Sequence, residues 1–430
     1  MNVRQRLGMV NSVKICAVLI VKNEAHCIIQ CLTSLLPNLS AVAIVDTGSY
    51  DGTIEKVQEF LKTHGIHGSI VSRRWKHFAI SRNDSLEHAD AVIRGYYGIY
   101  PTGPLTKAEY DTMNKDIWKF YITDADNILM KDDEECYTAK MALEGKYTPV
   151  SFVDLIPPTQ NSNCMIPMRS GKHTYYVHLG IITYSPTGEK SGKYYCPIHE
   201  YIGTDGWSPK TTTLKGIYVY SGRHGGRSQF RAKADRDAAA LNEAIVECRV
   251  SPKDADRCTF YLGQSYRDMK VYDLAVDTYL DRANMESGYY EERYYSLMQA
   301  SSCLPYTTMA RQTHPDAIRR MQVEYWLRAH EIHPGRREAM YDIMRYFDEK
   351  KLHKAAWGIV RDYVGYNDPN AYQLFVDSTL YGWKFDEQLC YCAFYSGDKA
   401  MFKVYLERAI ADPKIDPDNR ARLMKHRTWY

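Results

Sequence analysis

Seven apolar residues in an unbroken row, Ile15-Cys-Ala-Val-Leu-Ile-Val21, stand between Lys14 and Lys22. A membrane helix needs about 20 such residues, so the run reads as a strand buried on both faces and not as a membrane segment. A strand with no polar face belongs inside a sheet that helices cover on both sides. The next residues keep that rhythm. Asn23 and Glu24 open a helix through Leu35, which Pro37 helps to end, and Ala41–Val45 is a second strand. Thr53–Thr63 is a helix, Ser69–Ser72 a strand, Ser81–Ala91 a helix and Trp118–Thr123 a fourth strand. Strand and helix in alternation predict a parallel α/β sheet, whose ligands bind at the carboxyl ends of the strands.

From about Ser228 the strand signals stop. Ala232–Val250 reads as one long helix and Ala255–Tyr279 as a helical hairpin. Leu262, Gly263, Tyr266, Ala275 and Tyr279 follow the spacing of a tetratricopeptide unit, with Thr259 where such units often carry Trp. Trp326, Ala329 and Pro334 close another unit, and helical pairs continue from Arg336. A chain of 430 residues exceeds one ordinary core. The expected division is an α/β domain over 1–227 and an all-α repeat domain over 228–430, broken near Gly222, Gly225 and Gly226. Such a repeat domain buttresses its neighbour, dimerises the chain or binds the partner. Most of the 36 tyrosines are expected to pack in these units.

The charge balance, three more Lys and Arg than Asp and Glu, announces no nucleic-acid or membrane partner. Eleven cysteines without a framework read as reduced thiols of a cytoplasmic protein. Neither close pair, Cys27 with Cys31 or Cys390 with Cys392, lies near a second pair as a zinc site of paired cysteines would require.

The chemistry-bearing residues fall at the expected strand ends. Asp124-Ala-Asp126 follows the strand ending at Thr123, and two carboxylates at that spacing can reach one divalent cation. Val45-Asp46-Thr-Gly-Ser49-Tyr-Asp51-Gly-Thr53 joins a strand to a helix; Asp46 can accept from a base or ribose, while Asp51 or Thr53 caps the helix. Arg82 near a helix start can bind phosphate. His199-Glu200 is an acid/base pair of the kind that orients or deprotonates an acceptor. His224 offers a nitrogen ligand to the same metal. The chain has no Gly-x-Ser-x-Gly elbow, Walker loop, Gly-x-Gly-x-x-Gly or His-Glu-x-x-His.

Taken in order, Ile20-Val-Lys22-Asn23-Glu24, Val45-Asp46-Thr-Gly-Ser49-x-Asp51-Gly-Thr53, Ser81-Arg82-Asn83-Asp84, Thr123-Asp124-Ala-Asp126 and His199-Glu200 resemble the motifs of family-two glycosyltransferases. The resemblance implies a Rossmann-like GT-A catalytic domain, and the C-terminal half resembles the TPR-like domain of a subgroup of these enzymes. It implies inverting transfer of a hexose or pentose from a nucleotide-diphospho-sugar, with a UDP-sugar favoured, in the presence of Mn2+ or Mg2+. Lys22, Glu24, Asp46, Ser49, Arg82 and Asp124 would then bind the donor, and Asp126 with Asp124 and His224 the metal. The Glu-Asp pair that supplies the base in many relatives is absent, so Glu200 beside His199 is the candidate. Arg94–Lys115 is longer than a typical connection and is expected to form a lid or acceptor loop. The acceptor hydroxyl of a glycan, a protein or a modified nucleic-acid base fits equally. Two other readings are a nucleotidyltransferase and an inactive TPR-type scaffold. Val21-Lys-Asn-Glu24 lacks the Gly-rich loop of the first, and the intact Asp124/Asp126 pair speaks against the second.

Overall fold

In the computed structural model, which describes residues 12–100, 104–132, 149–170, 173–185, 192–203, 208–221, 233–246, 252–362 and 374–429, the apolar run is central. Strand β1 (Val13–Val21) lies between β2 (Leu39–Asp46) and β4 (Ile117–Ile122) and runs parallel to both. Strand β3 (His67–Ser72) adds a parallel edge beyond β2. Successive side chains of a strand point to opposite faces, and β1 fills two cores in this way. Ile15, Ala17, Leu19 and Val21 pack with α1 (Ile28–Leu35) and α2 (Thr53–His64). Cys16 and Val18 pack instead with α3 (Phe78–Tyr96). That double duty is why the run has no polar position.

The four strands read from the sequence run parallel as expected, and beyond β4 the sheet becomes mixed. Strand β5 (Asn127–Lys131) starts immediately after Asp126, too soon for a crossover helix, and so cannot lie parallel beside β4. β6 (Ser162–Ser170) and β7 (His173–Thr183) form a hairpin, and β7 pairs antiparallel with β4. β8 (Lys193–Tyr195) and β9 (Tyr201–Gly203) make a separate ribbon. β10 (Lys210–Thr213) pairs with β6, and β11 (Ile217–Ser221) lies between β6 and β5.

The described residues of Arg94–Lys115 form no lid over the carboxyl ends of the strands. They continue α3 to Tyr96 and add α4 (Lys107–Met113) at the opposite end of the sheet. There Lys14 Nζ, on the first turn of β1, donates to Tyr96 Oη at 2.9 Å. Tyr97 donates to Asp116 at 2.6 Å and accepts from Trp118 Nε1 at 2.8 Å. Tyr96 and Tyr97 of this stretch thus brace the amino ends of β1 and β4.

The chain divides into compact units 1–233 and 234–430. Among its described residues the second has helices and no strands, beginning with α5 (Lys233–Val246). The expected hairpin is α6 (Pro252–Asp268) with α7 (Tyr272–Asn284). A Cβ on Gly263 would come within 2.8 Å of the Tyr279 ring, so the glycine lets these two helices close. α8 (Tyr290–Cys303), the short α9 (Thr308–Gln312) and α10 (Pro315–Ile332) follow. α11 (Arg337–Glu349) pairs with α12 (His353–Val360), then α13 (Trp383–Ser396), α14 (Lys399–Ala411) and α15 (Pro417–Lys425) complete the unit. The connection from α12 to α13 runs from Arg361 to Gly382, and buried charges hold its last part. Arg336 donates to the carbonyls of Leu374 (2.8 Å) and Phe375 (3.3 Å), and Glu291 accepts from Leu374 N–H at 2.8 Å. Among the described residues no helix is long and apolar enough to cross a membrane.

Candidate nucleotide and metal site

The carboxyl ends of β1, β2 and β4 bring most of the sequence-derived residues to one edge of the sheet. The turns after β1 and β2 are laced together. Ser49 Oγ accepts from Asn23 N–H at 2.8 Å, and Asn23 Oδ1 accepts from Tyr50 N–H at 3.0 Å. Thr53 Oγ1 accepts from Glu24 N–H at 2.9 Å, while Asp51 accepts from Ala25 N–H at 3.0 Å. Asn23 sits at φ 57°, a left-handed conformation that Asn tolerates better than most residues. Asp46 is 1% exposed and accepts from the N–H groups of Gly48 (3.0 Å) and Ser49 (3.2 Å). Asp46 and Ser49 therefore shape the turn, whatever else they contact.

Beside this turn lies an open cleft lined by Lys22, Asp46, Gly48, Arg73, Arg74 and Trp75. Gly48, at φ 109°, leaves open space where a side chain would stand. Three cations and one buried carboxylate make the cleft attractive to an anion, and the Trp75 ring, 38% exposed, supplies a stacking face. Arg73 and Arg74 follow directly after β3. They were missed in the sequence because an Arg pair after a short polar strand carries no motif.

The second half of the site is built on α3. Arg82 is 7% exposed, and its guanidinium spans three partners. Nη2 donates to Asp124 Oδ1, Nε donates to Glu200 Oε1 at 3.3 Å, and Nη1 donates to the Thr123 carbonyl at 3.5 Å. Burial alone would disfavour the charged guanidinium; the carboxylates of Asp124 and Glu200 outweigh it and hold the proton more firmly than usual. One residue later, Asn83 Nδ2 donates to the Tyr194 carbonyl at 2.9 Å while Asn83 Oδ1 accepts from Tyr194 N–H at 2.8 Å. Phe78 N–H donates to the Pro197 carbonyl at 3.2 Å. Helix α3 thus fixes the segment from Tyr194 to Glu200 against the end of β4. The sequence pointed to Arg82 for its charge; the side chain that positions the loop is its neighbour Asn83. Within that segment Cys196 (φ 64°) and His199 (φ 54°) are held left-handed, each at a cost of about 1 kcal/mol or more.

Asp124 and Asp126 occupy the turn between β4 and β5, which closes with Asn127 N–H donating to the Asp124 carbonyl at 3.1 Å. The Asp124 side chain is 56% exposed and Asp126 is half-buried. Two carboxylates on a tight turn form an all-oxygen donor set, which fits a hard cation such as Mg2+ or Mn2+. His199 is exposed, whereas the Glu200 side chain is 17% exposed against Arg82. His224 lies outside the described residues; the last described residue before it, Ser221, pairs with Asn127 next to Asp126.

Residues 16–93 match the family model described as glycosyl transferase family 2. The match ends before Asp124, Asp126, His199 and Glu200. No curated protein sequence matches the chain. Among solved structures, S. aureus TarS aligns at 12% identity and TM-score 0.33, over 72% of this chain and 55% of TarS. S. aureus TarS 1–349 in complex with UDP aligns at 12% identity and TM-score 0.23, over 92% of this chain and 91% of that one. A thermophilic TPR protein of Thermus thermophilus aligns at 10% identity and TM-score 0.27, over 46% of this chain and 92% of that one. Alignments this weak carry no functional information. The family match takes in β1, β2, β3 and the helices between them, so residues 16–93 of this chain are similar to glycosyl transferase family 2.

Proposed function

We propose that this chain transfers a sugar from a nucleotide-diphospho-sugar to an acceptor hydroxyl with inversion at the anomeric carbon. The observation that carries the reading is Arg82, one buried guanidinium holding Asp124 on its donor side and Glu200 on its acceptor side. The nucleoside lies in the cleft of Asp46, Arg73, Arg74 and Trp75, with Lys22 at its rim. Asp126 and Asp124 would hold Mg2+ or Mn2+, which supplies Lewis-acid stabilisation of the departing diphosphate. Glu200, with His199 beside it, takes the proton of the acceptor hydroxyl as its oxygen bonds to the anomeric carbon and the bond to the diphosphate breaks. Arg82 keeps Glu200 and Asp124 in register during that displacement, a positioning role worth most in a water-poor site. The nine described cysteines are all buried and unbridged, in keeping with a reducing, cytoplasmic setting.

The test is a panel of nucleotide-sugars incubated with the full chain and Mn2+ or Mg2+ without acceptor. Slow release of free sugar and nucleoside diphosphate from one donor is expected, lost on chelation and in Asp126→Ala. Release of pyrophosphate would identify a nucleotidyltransferase instead. Full activity of Asp126→Ala would remove the metal assignment.

A further inference from the structure

The turn between β1 and α1 carries a second set of metal-ligating groups, of different chemistry from the Asp124–Asp126 pair. Glu24, His26 and Cys27 each offer one ligand atom, and the three atoms lie within 4.8 Å of one another. Cys27 Sγ and Glu24 Oε2 are 3.3 Å apart. Around tetrahedral zinc, bonds of about 2.3 Å to sulfur and about 2.0–2.2 Å to nitrogen and oxygen place neighbouring ligand atoms roughly 3.3–3.6 Å apart. One edge of such a tetrahedron is therefore already formed. A movement of about 1 Å by the ring of His26, which is exposed, closes the others.

The turn is held in place before any ion arrives. Cys27 N–H and Ile28 N–H both donate to the Glu24 carbonyl, at 3.1 and 2.9 Å. Glu24 N–H is taken by Thr53 Oγ1 at 2.9 Å, Ala25 N–H by Asp51 at 3.0 Å, and the Ala25 carbonyl by Lys56 Nζ at 2.7 Å. Ligands carried on a backbone tied down this often lose little freedom on binding.

We propose that Glu24, His26 and Cys27 bind one zinc-class divalent cation, with water as fourth ligand, through a donor set distinct from that of the Asp124–Asp126 pair. The donor sets divide the metals between them. One nitrogen, one sulfur and one carboxylate favour Zn2+ or Co2+, whereas the paired carboxylates favour Mg2+ or Mn2+. Binding replaces the Cys27 S–H bond by a sulfur–metal bond, and the proton passes to solvent. The site takes up Glu24, which stands in the donor-side turn, so an ion bound here draws that carboxylate away from any nucleotide. The assignment does not rest on sugar transfer and is read without it.

Co2+ titrated into the full chain, without nucleotide, reports the ligand set through its absorption spectrum. One equivalent is expected to produce a thiolate-to-cobalt charge-transfer band with intense tetrahedral d–d bands, and one equivalent of Zn2+ to bleach both. Cys27→Ser abolishes the charge-transfer band. His26→Ala, at an exposed side chain, weakens Co2+ binding by more than the roughly 10–100-fold that loss of a supporting residue costs, with the far-ultraviolet circular dichroism of the chain unchanged. Asp126→Asn leaves the band unchanged. A band that survives Cys27→Ser, tight binding that survives His26→Ala, a band removed by Asp126→Asn, or no band in the unaltered chain would each overturn the assignment.

Discussion

Arg82 is the residue on which the two halves of the site depend, since its guanidinium is the direct link between Asp124 and Glu200. Without Arg82 the Glu200 carboxylate loses its buried charged partner while Asp124, 56% exposed, regains water, at about 1–3 kcal/mol in all. Arg82→Ala is therefore expected to lower the unfolding free energy of the first unit by roughly that amount, read by urea denaturation. Arg82→Lys keeps the charge but cannot span both carboxylates, so it should retain more stability than Arg82→Ala while still losing sugar transfer. A second residue makes a prediction of opposite sign. Burial pushes the Asp342 carboxyl up to about 6, against the pull of Arg345 and Arg319. The folded chain then keeps this proton to higher pH than the unfolded chain, whose aspartates titrate near 3.9. Its contribution to stability is complete below about pH 4 and is lost as the pH rises through about 6. Asp342→Asn should accordingly stabilise the second unit at pH 7 by about 1–2 kcal/mol and flatten its stability between pH 4 and 6. Thermal melts across that range check both statements.

At the scale of elements, β1 and the α6/α7 hairpin show how far a local pattern reaches. β1 was legible because both of its faces are buried, and Leu19 is fully buried in the core beneath α1 and α2. Leu19→Ala should cost about 2–5 kcal/mol in the first unit. The hairpin was legible because Gly263 and Tyr279 obey a repeat whose spacing encodes one contact. Gly263→Ala forces its new methyl group against the Tyr279 ring and should cost about 1–3 kcal/mol in the second unit. β6, β7, β10 and β11 could not be read in the same way. Segments such as Lys210–Thr213 and Ser162–Ser170 mix polar and apolar residues without strict alternation, and pairing with distant strands makes them strands. Arg94–Lys115 was misread for a related reason: the length of a connection does not say whether it covers a site or, as Tyr96 and Tyr97 do, braces Lys14 and Trp118.

For the whole molecule, the division of cores matters most. The clusters around β1 draw all their members from the first unit, and those around α7 and α13 draw theirs from the second. Calorimetry on the full chain should resolve two transitions, with Leu19→Ala shifting one and Gly263→Ala the other. The sequence by itself determined the change from strand–helix alternation to helices alone, the central place of β1, and the residue types at the strand ends. Those properties are written in local periodicity and in the chemistry of single side chains. Only the tertiary structure decided that the sheet turns antiparallel after Asp126, and that Asn83 ties the Tyr194 loop to α3. The same holds for Arg82 as the bridge between Asp124 and Glu200, and for Glu24, His26 and Cys27 as one cluster of ligand atoms. The reason is physical. A strand's partners and a side chain's neighbours depend on how residues far apart in sequence are brought together, and no local pattern records that geometry.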